Sequence, residues 1–165
     1  MKTLSLEYLN QLFYIDSNNN LRWKIQKGRR NPHELAGRIS THGYYEVRIN
    51  GQMKQVHRIM FQMFNQLDTL DDSVFIDHID LNRVNNSKDN LRVCTKSQNR
   101  QNRTKQANNT SGFKGVSYDK KRNKWQAGIG VNGKRIGLGR FDTPELAYEA
   151  YCKSAKEIQG EFFHP

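Results

Sequence analysis

Two Asn-Gly dipeptides, Asn50-Gly51 and Asn132-Gly133, constrain the fold more than any other feature, because each is flanked by alternating apolar residues. Asn and Gly tolerate the positive φ of a two-residue turn whose twist matches that of antiparallel strands, so each dipeptide predicts a tight hairpin. Tyr45, Val47 and Ile49 alternate into the first turn, and Gln52–Val56 leave it. Trp125, Ala127, Ile129 and Val131 alternate into the second; Ile136 and Leu138 follow, ending at Phe141. The chain therefore reads as α+β with antiparallel sheets.

The rest of the pattern sorts into three segments. At the N-terminus Leu4, Leu6, Leu9 and Leu12 suggest a short helix. The tract Ser17-Asn18-Asn19-Asn20 then turns into a strand of Leu21, Trp23 and Ile25. The basic loop Lys27-Gly28-Arg29-Arg30-Asn31-Pro32 follows, where Arg29 and Arg30 are candidate DNA contacts. Val56, Ile59, Met60, Met63 and Phe64 make one apolar helical stripe, with His57 and Arg58 beside it. For His57 a packed or hydrogen-bonded helix-end residue is the stronger reading and a catalytic one the weaker. Val74-Phe75-Ile76 predicts a buried strand ending at Asp77-His78, and a polar loop leads to a second short strand, Leu91–Cys94. Thr95 and Gln98 have capping-box spacing, so a helix carrying Asn99 and Arg100 starts there.

Residues 104–111 are polar without apolar periodicity and read as a linker. They divide residues 1–103 from a segment of three strands and a helix over 112–165. Asp142, Pro144 and Glu145 supply that helix with a cap, an early proline and a first-turn acid. Its apolar face is Leu146, Ala147, Ala150, Tyr151, Ala155 and Ile158. The opposite face of the sheet shows Lys124, Gln126, Gly128, Gly130, Arg135, Gly137 and Gly139, a flat basic surface that a phosphate backbone could approach.

Charge narrows the partner. Lys and Arg outnumber acids 27 to 16, for a net +11 and an isoelectric point near 9.8. The excess is shared, +6 over residues 1–104 and +5 over 105–165, so it is no basic tail. Such a balance favours nucleic acid, since neutralising phosphates releases counterions. No apolar run is long enough to span a membrane. Glu7 and Asn10 interrupt any signal-peptide stretch, so the expected location is cytoplasmic and not secreted. Cys94 and Cys152 are solitary, with no C-x-x-C, which predicts neither a disulfide framework nor a structural zinc.

The pattern that carries chemistry is Asp77-His78 at a strand end, Asn90 twelve residues beyond the His, and Asn99 nine further on. Phosphodiester hydrolysis needs a neutral imidazole to take a proton from water. It also needs a hard divalent cation for the charge on the phosphate and the leaving oxygen. Asp77 and Asn99 offer oxygens to such an ion; Asn90, opening the second strand, suits pinning the loop to backbone. A calcium loop starting at Asp77 fails because the required glycine and terminal glutamate are missing.

These stretches (Val56-His57-Arg58, Ile76-Asp77-His78-Ile79-Asp80, Asn85-Asn86, Asn90-Leu91-Arg92 and Gln98-Asn99) resemble the HNH endonucleases of bacteriophages and mobile introns. Phe113-Lys114-Gly115-Val116, Trp125-Gln126-Ala127, Leu138-Gly139-Arg140-Phe141 and Ala147-Tyr148 resemble an AP2 DNA-binding domain, a pairing found in phage homing endonucleases. The resemblance implies a ββα-metal nuclease core in which His78 is the general base and Asn90 the central Asn. Asp77 and Asn99 would hold one Mg²⁺ or Mn²⁺ ion. Asn85 and Asn86 remain alternatives for the central Asn. It further implies double-stranded DNA as partner, with Arg29, Arg30, Arg100, Arg103, Lys114, Lys124, Gln126 and Arg135 as DNA contacts. Ser117, Gly128, Gly130 and Gly137 stand where plant AP2 domains carry base-reading side chains, so mainly phosphate contacts are expected. The expected enzyme is a site-preferring homing-type nuclease or nickase, monomeric on DNA. The alternative is a non-catalytic regulator using the AP2-like domain.

Overall fold

The computed structural model describes residues 4–26, 28–102, 109–131 and 133–163, with only the backbone of Arg100 and Gln101. Lys27, Arg103, Asn132 of the second hairpin turn, and residues 104–108 of the expected linker lie outside the described residues. The chain divides into two compact units, Met1–Cys94 and Thr95–Pro165.

In the first unit, helix α1 (Leu6–Leu12) starts where the Ser5 side chain accepts the Tyr8 backbone N–H at 3.2 Å. It buries Leu9 and Leu12 and runs into strand β1 (Phe13–Ile15). Strand β2 (Leu21–Trp23) pairs antiparallel with β1 and brings the Phe13 and Trp23 rings to 4.6 Å at the centre of the core. The strand stops at Trp23, so Ile25 is not part of it and stands 44% exposed. Strands β3 (Arg38–Ile39), β4 (Tyr45–Ile49) and β5 (Gln52–Gln55) form an antiparallel sheet in that order. The β4–β5 turn places Asn50 and Gly51 at φ of 49° and 80°, the conformation that made this dipeptide a hairpin signal.

Val47 and Ile49 turn inward against helix α2 (Val56–Phe64), which buries Val56, Ile59, Met60 and Met63 along one stripe. Strands β6 (Phe75–His78) and β7 (Leu91–Cys94) pair antiparallel, with Ile76 opposite Val93, Asp77 opposite Arg92 and His78 opposite Leu91. Only one face of β6 enters the core. Ile76 is buried there, whereas Phe75 is 37% exposed, contrary to a strand buried throughout. Arg58 fixes the approach to β6 by donating to the carbonyls of Val74 and Asp71.

The second unit opens with helix α3 (Lys96–Gln101), where Thr95 and Gln98 form the reciprocal capping box their spacing predicts. Strands β8 (Val116–Asp119), β9 (Lys124–Val131) and β10 (Lys134–Phe141) form an antiparallel sheet with β9 central. Helix α4 (Pro144–Gln159) packs on it through Ala147, Tyr151 and Ala155, facing Val116, Ala127 and Ile129. Gly115 is obligatory beneath this helix: its φ is +75°, and a Cβ there would lie 2.2 Å from the Tyr151 ring.

Three expectations for this unit are corrected. The α4 cap is Thr143, whose hydroxyl accepts the Leu146 N–H, because Asp142 is drawn into an ion pair with Lys124. Leu146 and Ile158 are 46% and 43% exposed, off the face that packs. A register shift between Gly137 and Gly139 places Gly139 opposite Ala127 on the helix side and carries Arg140 to the outer face, opposite Gln126.

Candidate functional site

Strand β6 delivers Asp77 and His78 to different surroundings because successive strand residues point to opposite faces. His78 shares the core-facing side with Ile76 and Leu91 and is 4% exposed. Its ring lies 5.0 Å from that of His57, on the first turn of α2, and 6.0 Å from that of Tyr44. Asp77 faces its cross-strand partner Arg92, whose Nη2 donates to Oδ2 at 3.2 Å. The two side chains are only 7% and 12% exposed, so this is a largely buried ion pair.

The loop between β6 and β7 is held by its own amides and one carboxylate. Asn90 Oδ1 accepts the Asp80 N–H at 2.9 Å, and its Nδ2 donates to Asp80 Oδ1 and to the Asn85 carbonyl. Asn85 donates to Asp80 Oδ2 at 2.7 Å, and the Asn82 N–H to Oδ1 at 2.8 Å. Burial works to raise the Asp80 pKa, but the hydrogen bonds from Asn85, Asn82 and Asn90 outweigh it and hold the carboxyl below its ordinary range. Leu81 adopts φ +64° at the turn, where its N–H returns to the His78 carbonyl at 3.1 Å.

Among the three asparagines left open by the sequence, Asn86 is the one joined to the imidazole. It is buried, and its Oδ1 accepts from His78 Nε2 at 2.9 Å. An amide oxygen can only accept, so this bond puts the proton of the neutral ring on Nε2 and its basic lone pair on Nδ1. With His78 as the general base expected from the sequence, Asn86→Ala should leave DNA binding intact while slowing cleavage by up to about 10²-fold, the cost of a misaligned reacting group. Steady-state kinetics with kcat and KM resolved would show the loss in kcat, and Asn86→Gln should recover part of it.

His57 is a buried neutral residue. Desolvation above all, with the neighbouring imidazole of His78 and the Arg58 guanidinium adding to it, pushes its pKa down to about 3. An unfolded histidine titrates near 6.5. Between those values the unfolded chain binds the extra proton, so stability should fall as pH drops from about 6.5 toward 3. Urea unfolding across that range should show a shallower acid loss in His57→Phe than in the wild-type protein. Tyr44 completes the aromatic wall, 5.3 Å from His57, and the Arg83 guanidinium lies 4.9 Å over the Tyr44 ring while donating to the His42 carbonyl.

Asn99 and Arg100 lie on α3, in the second compact unit. Arg29 and Arg30 are exposed after β2, Arg30 over the Trp23 ring at 5.2 Å. Lys114 is half-buried before β8, and desolvation lowers its pKa. On the outer sheet face of the second unit, Lys124 pairs with Asp142 and Gln126 donates to Ser117 at 3.1 Å. Arg135 lies across Gly128, where a Cβ would meet its Nε at 2.7 Å. Arg140, absent from the sequence selection, joins this face paired with Asp119 at 3.1 Å.

A hairpin ending on Asp-His, in a basic chain that carries a second three-stranded sheet, is the two-part nuclease architecture that the motifs imply. Residues 54–101 match the family described as HNH endonuclease, and residues 111–161 match the AP2 domain. Protein 3.8 of Escherichia phage T7 is 35% identical over 88 residues, which cover 53% of this chain and 72% of that protein. The uncharacterized HNH endonuclease L560 of Acanthamoeba polyphaga mimivirus is 30% identical over 121 residues, 73% of this chain and 62% of its own. A solved structure of DNA binding and cleavage by the HNH homing endonuclease I-HmuI aligns over 99% of this chain and 94% of that one. Its TM-score is 0.41, at 18% identity. The chain belongs to the HNH endonuclease family and carries an AP2 domain. It is an HNH-type DNA endonuclease, a class that works with a divalent metal ion. Among the described residues no helix is long and apolar enough to cross a membrane.

Proposed function

We propose that residues 1–103 hydrolyse one phosphodiester bond of double-stranded DNA with His78 as general base and a single Mg²⁺ or Mn²⁺ ion, while residues 112–165 tether the enzyme to its substrate. The observation that carries this reading is the buried hydrogen bond from His78 to Asn86, which orients an imidazole with its lone pair on Nδ1. The amide that holds the ring belongs to a loop closed through Asp80 and Asn90, so the partner of the imidazole is itself fixed.

The donor suits the ion. Asp77 is a buried carboxylate, a hard oxygen donor that fits Mg²⁺ or Mn²⁺ better than the nitrogen and sulfur ligands of zinc. When bound, the ion supplies positive charge for the phosphate and the leaving 3′-oxygen. His78 takes the proton from the attacking water, Asn86 holds the ring in register, and Asn90 keeps the loop closed behind it.

The AP2 sheet serves as the tether, with Lys124, Gln126, Arg135 and Arg140 on a glycine-lowered surface that a phosphate backbone can approach. Lys114, with Arg29 and Arg30, adds further phosphate contacts. Site preference of the homing type follows from two DNA-contacting parts on one chain, acting in the cytoplasm of a bacterial host.

One Asp-His pair acts on one strand at a time, so a monomer nicks. Supercoiled plasmid under single-turnover conditions should pass to open circles first, with linear product late. Linear DNA formed without a nicked precursor, with two protomers per DNA in sedimentation, would contradict this.

A further inference from the structure

The Asp77–Arg92 pair does something that the hydrolysis scheme does not require. A carboxylate proposed to hold a divalent cation is already joined, directly across the strand pair, to a guanidinium donating from Nε at 3.4 Å and Nη2 at 3.2 Å to the same oxygen, Oδ2. Both side chains are largely buried, where charges are weakly screened and an uncompensated one is costly.

We infer that Arg92 is the stand-in for the metal. It neutralises Asp77 when no ion is bound, keeping the metal-free fold intact, and its charge opposes the ion so that the free enzyme holds its metal weakly. The inference rests on the reading of Asp77 as a ligand. Its physical basis is that a guanidinium sharing one carboxylate with a divalent cation repels that cation at close range. The planar fork of Arg also holds Oδ2 in a fixed orientation, so the carboxylate offers a single defined geometry. Arg92 is thus a positioning residue that sets metal affinity, and its effect is legible without any turnover.

The test is Mn²⁺ binding to the full-length protein without DNA, followed by electron paramagnetic resonance of the free ion, together with thermal unfolding with and without Mn²⁺. Arg92→Gln removes the charge, and it should bind Mn²⁺ on the order of tenfold more tightly than wild type. Its metal-free melting temperature should be lower, and Mn²⁺ should raise it further than it raises that of wild type. Arg92→Lys keeps the charge and should keep the weak affinity. Should Arg92→Gln unfold without metal, Mn²⁺ should refold it, and failure to do so counts against the inference. Affinity in Arg92→Gln equal to or weaker than wild type would overturn it. Asp77→Asn separates the two layers. If that variant binds Mn²⁺ as wild type does, the ligand reading fails. If it loses binding while Arg92→Gln is unchanged, only the role of Arg92 falls.

Discussion

His78→Ala is expected to slow DNA cleavage by about 10²–10⁴-fold, the usual cost of losing a general base, while DNA affinity changes little. The separation follows from the geometry: His78 is buried against His57 and Asn86, whereas phosphate affinity comes from Lys and Arg side chains elsewhere. The substitution also strands the Asn86 amide, at about 1–3 kcal/mol if it finds no new partner. Circular dichroism and urea unfolding should therefore accompany the kinetics, and the rate loss should persist where the variant is fully folded. A folded His78→Ala protein cutting at the wild-type rate would remove His78 from the chemistry.

The second large effect is expected at Asp77, on two observables together. Asp77→Ala takes away the anionic oxygen donor, so cleavage should demand far more Mg²⁺ or Mn²⁺, or cease. It also leaves the Arg92 guanidinium without its carboxylate in a largely buried setting, and breaking such a pair costs roughly 3–5 kcal/mol. The double variant Asp77→Ala/Arg92→Met should recover most of that stability and none of the activity. Thermal unfolding paired with a metal titration reads both; a single Asp77→Ala protein as stable as wild type would show that the pair contributes little. From sequence alone the alanine change looks like a clean probe of the metal, and the fold adds the cost.

The contrast between those two views marks where sequence patterns stop. What is fixed within a few neighbouring residues was legible: the Asn50-Gly51 turn, the apolar stripe of α2, and the Thr95–Gln98 capping box all depend on short-range stereochemistry. Partners set by register were not. Arg92 meets Asp77 only because β6 and β7 pair in one particular alignment across a long loop, which no local pattern specifies. Asn85, Asn86 and Asn90 are equivalent amides in the sequence. Their separate duties arise because Asp80 captures Asn85 and Asn90, while Asn86 turns to the imidazole.

The same limit applies at the second sheet. A simple alternation assigns Gly139 to the outer face, but the bulge beyond Gly137 shifts the phase and exchanges it for Arg140. Asp142 looks like the cap of α4, but Lys124, distant in sequence, claims its carboxylate and Thr143 caps instead. His57 carries no motif strong enough to place it. Its position against His78 and Tyr44 follows from how α2 docks beside the β6–β7 hairpin.

In the proposed scheme the Asp77-His78 hairpin makes a histidine-activated, metal-dependent cut. Plasmid cleavage by wild type and His78→Ala, each with Mg²⁺ and with EDTA at matched DNA occupancy, tests it most directly. Nicked product should form only from wild type with Mg²⁺, with at most a residual trace from His78→Ala. Full cleavage in EDTA, or equal cleavage by both proteins, would contradict the scheme.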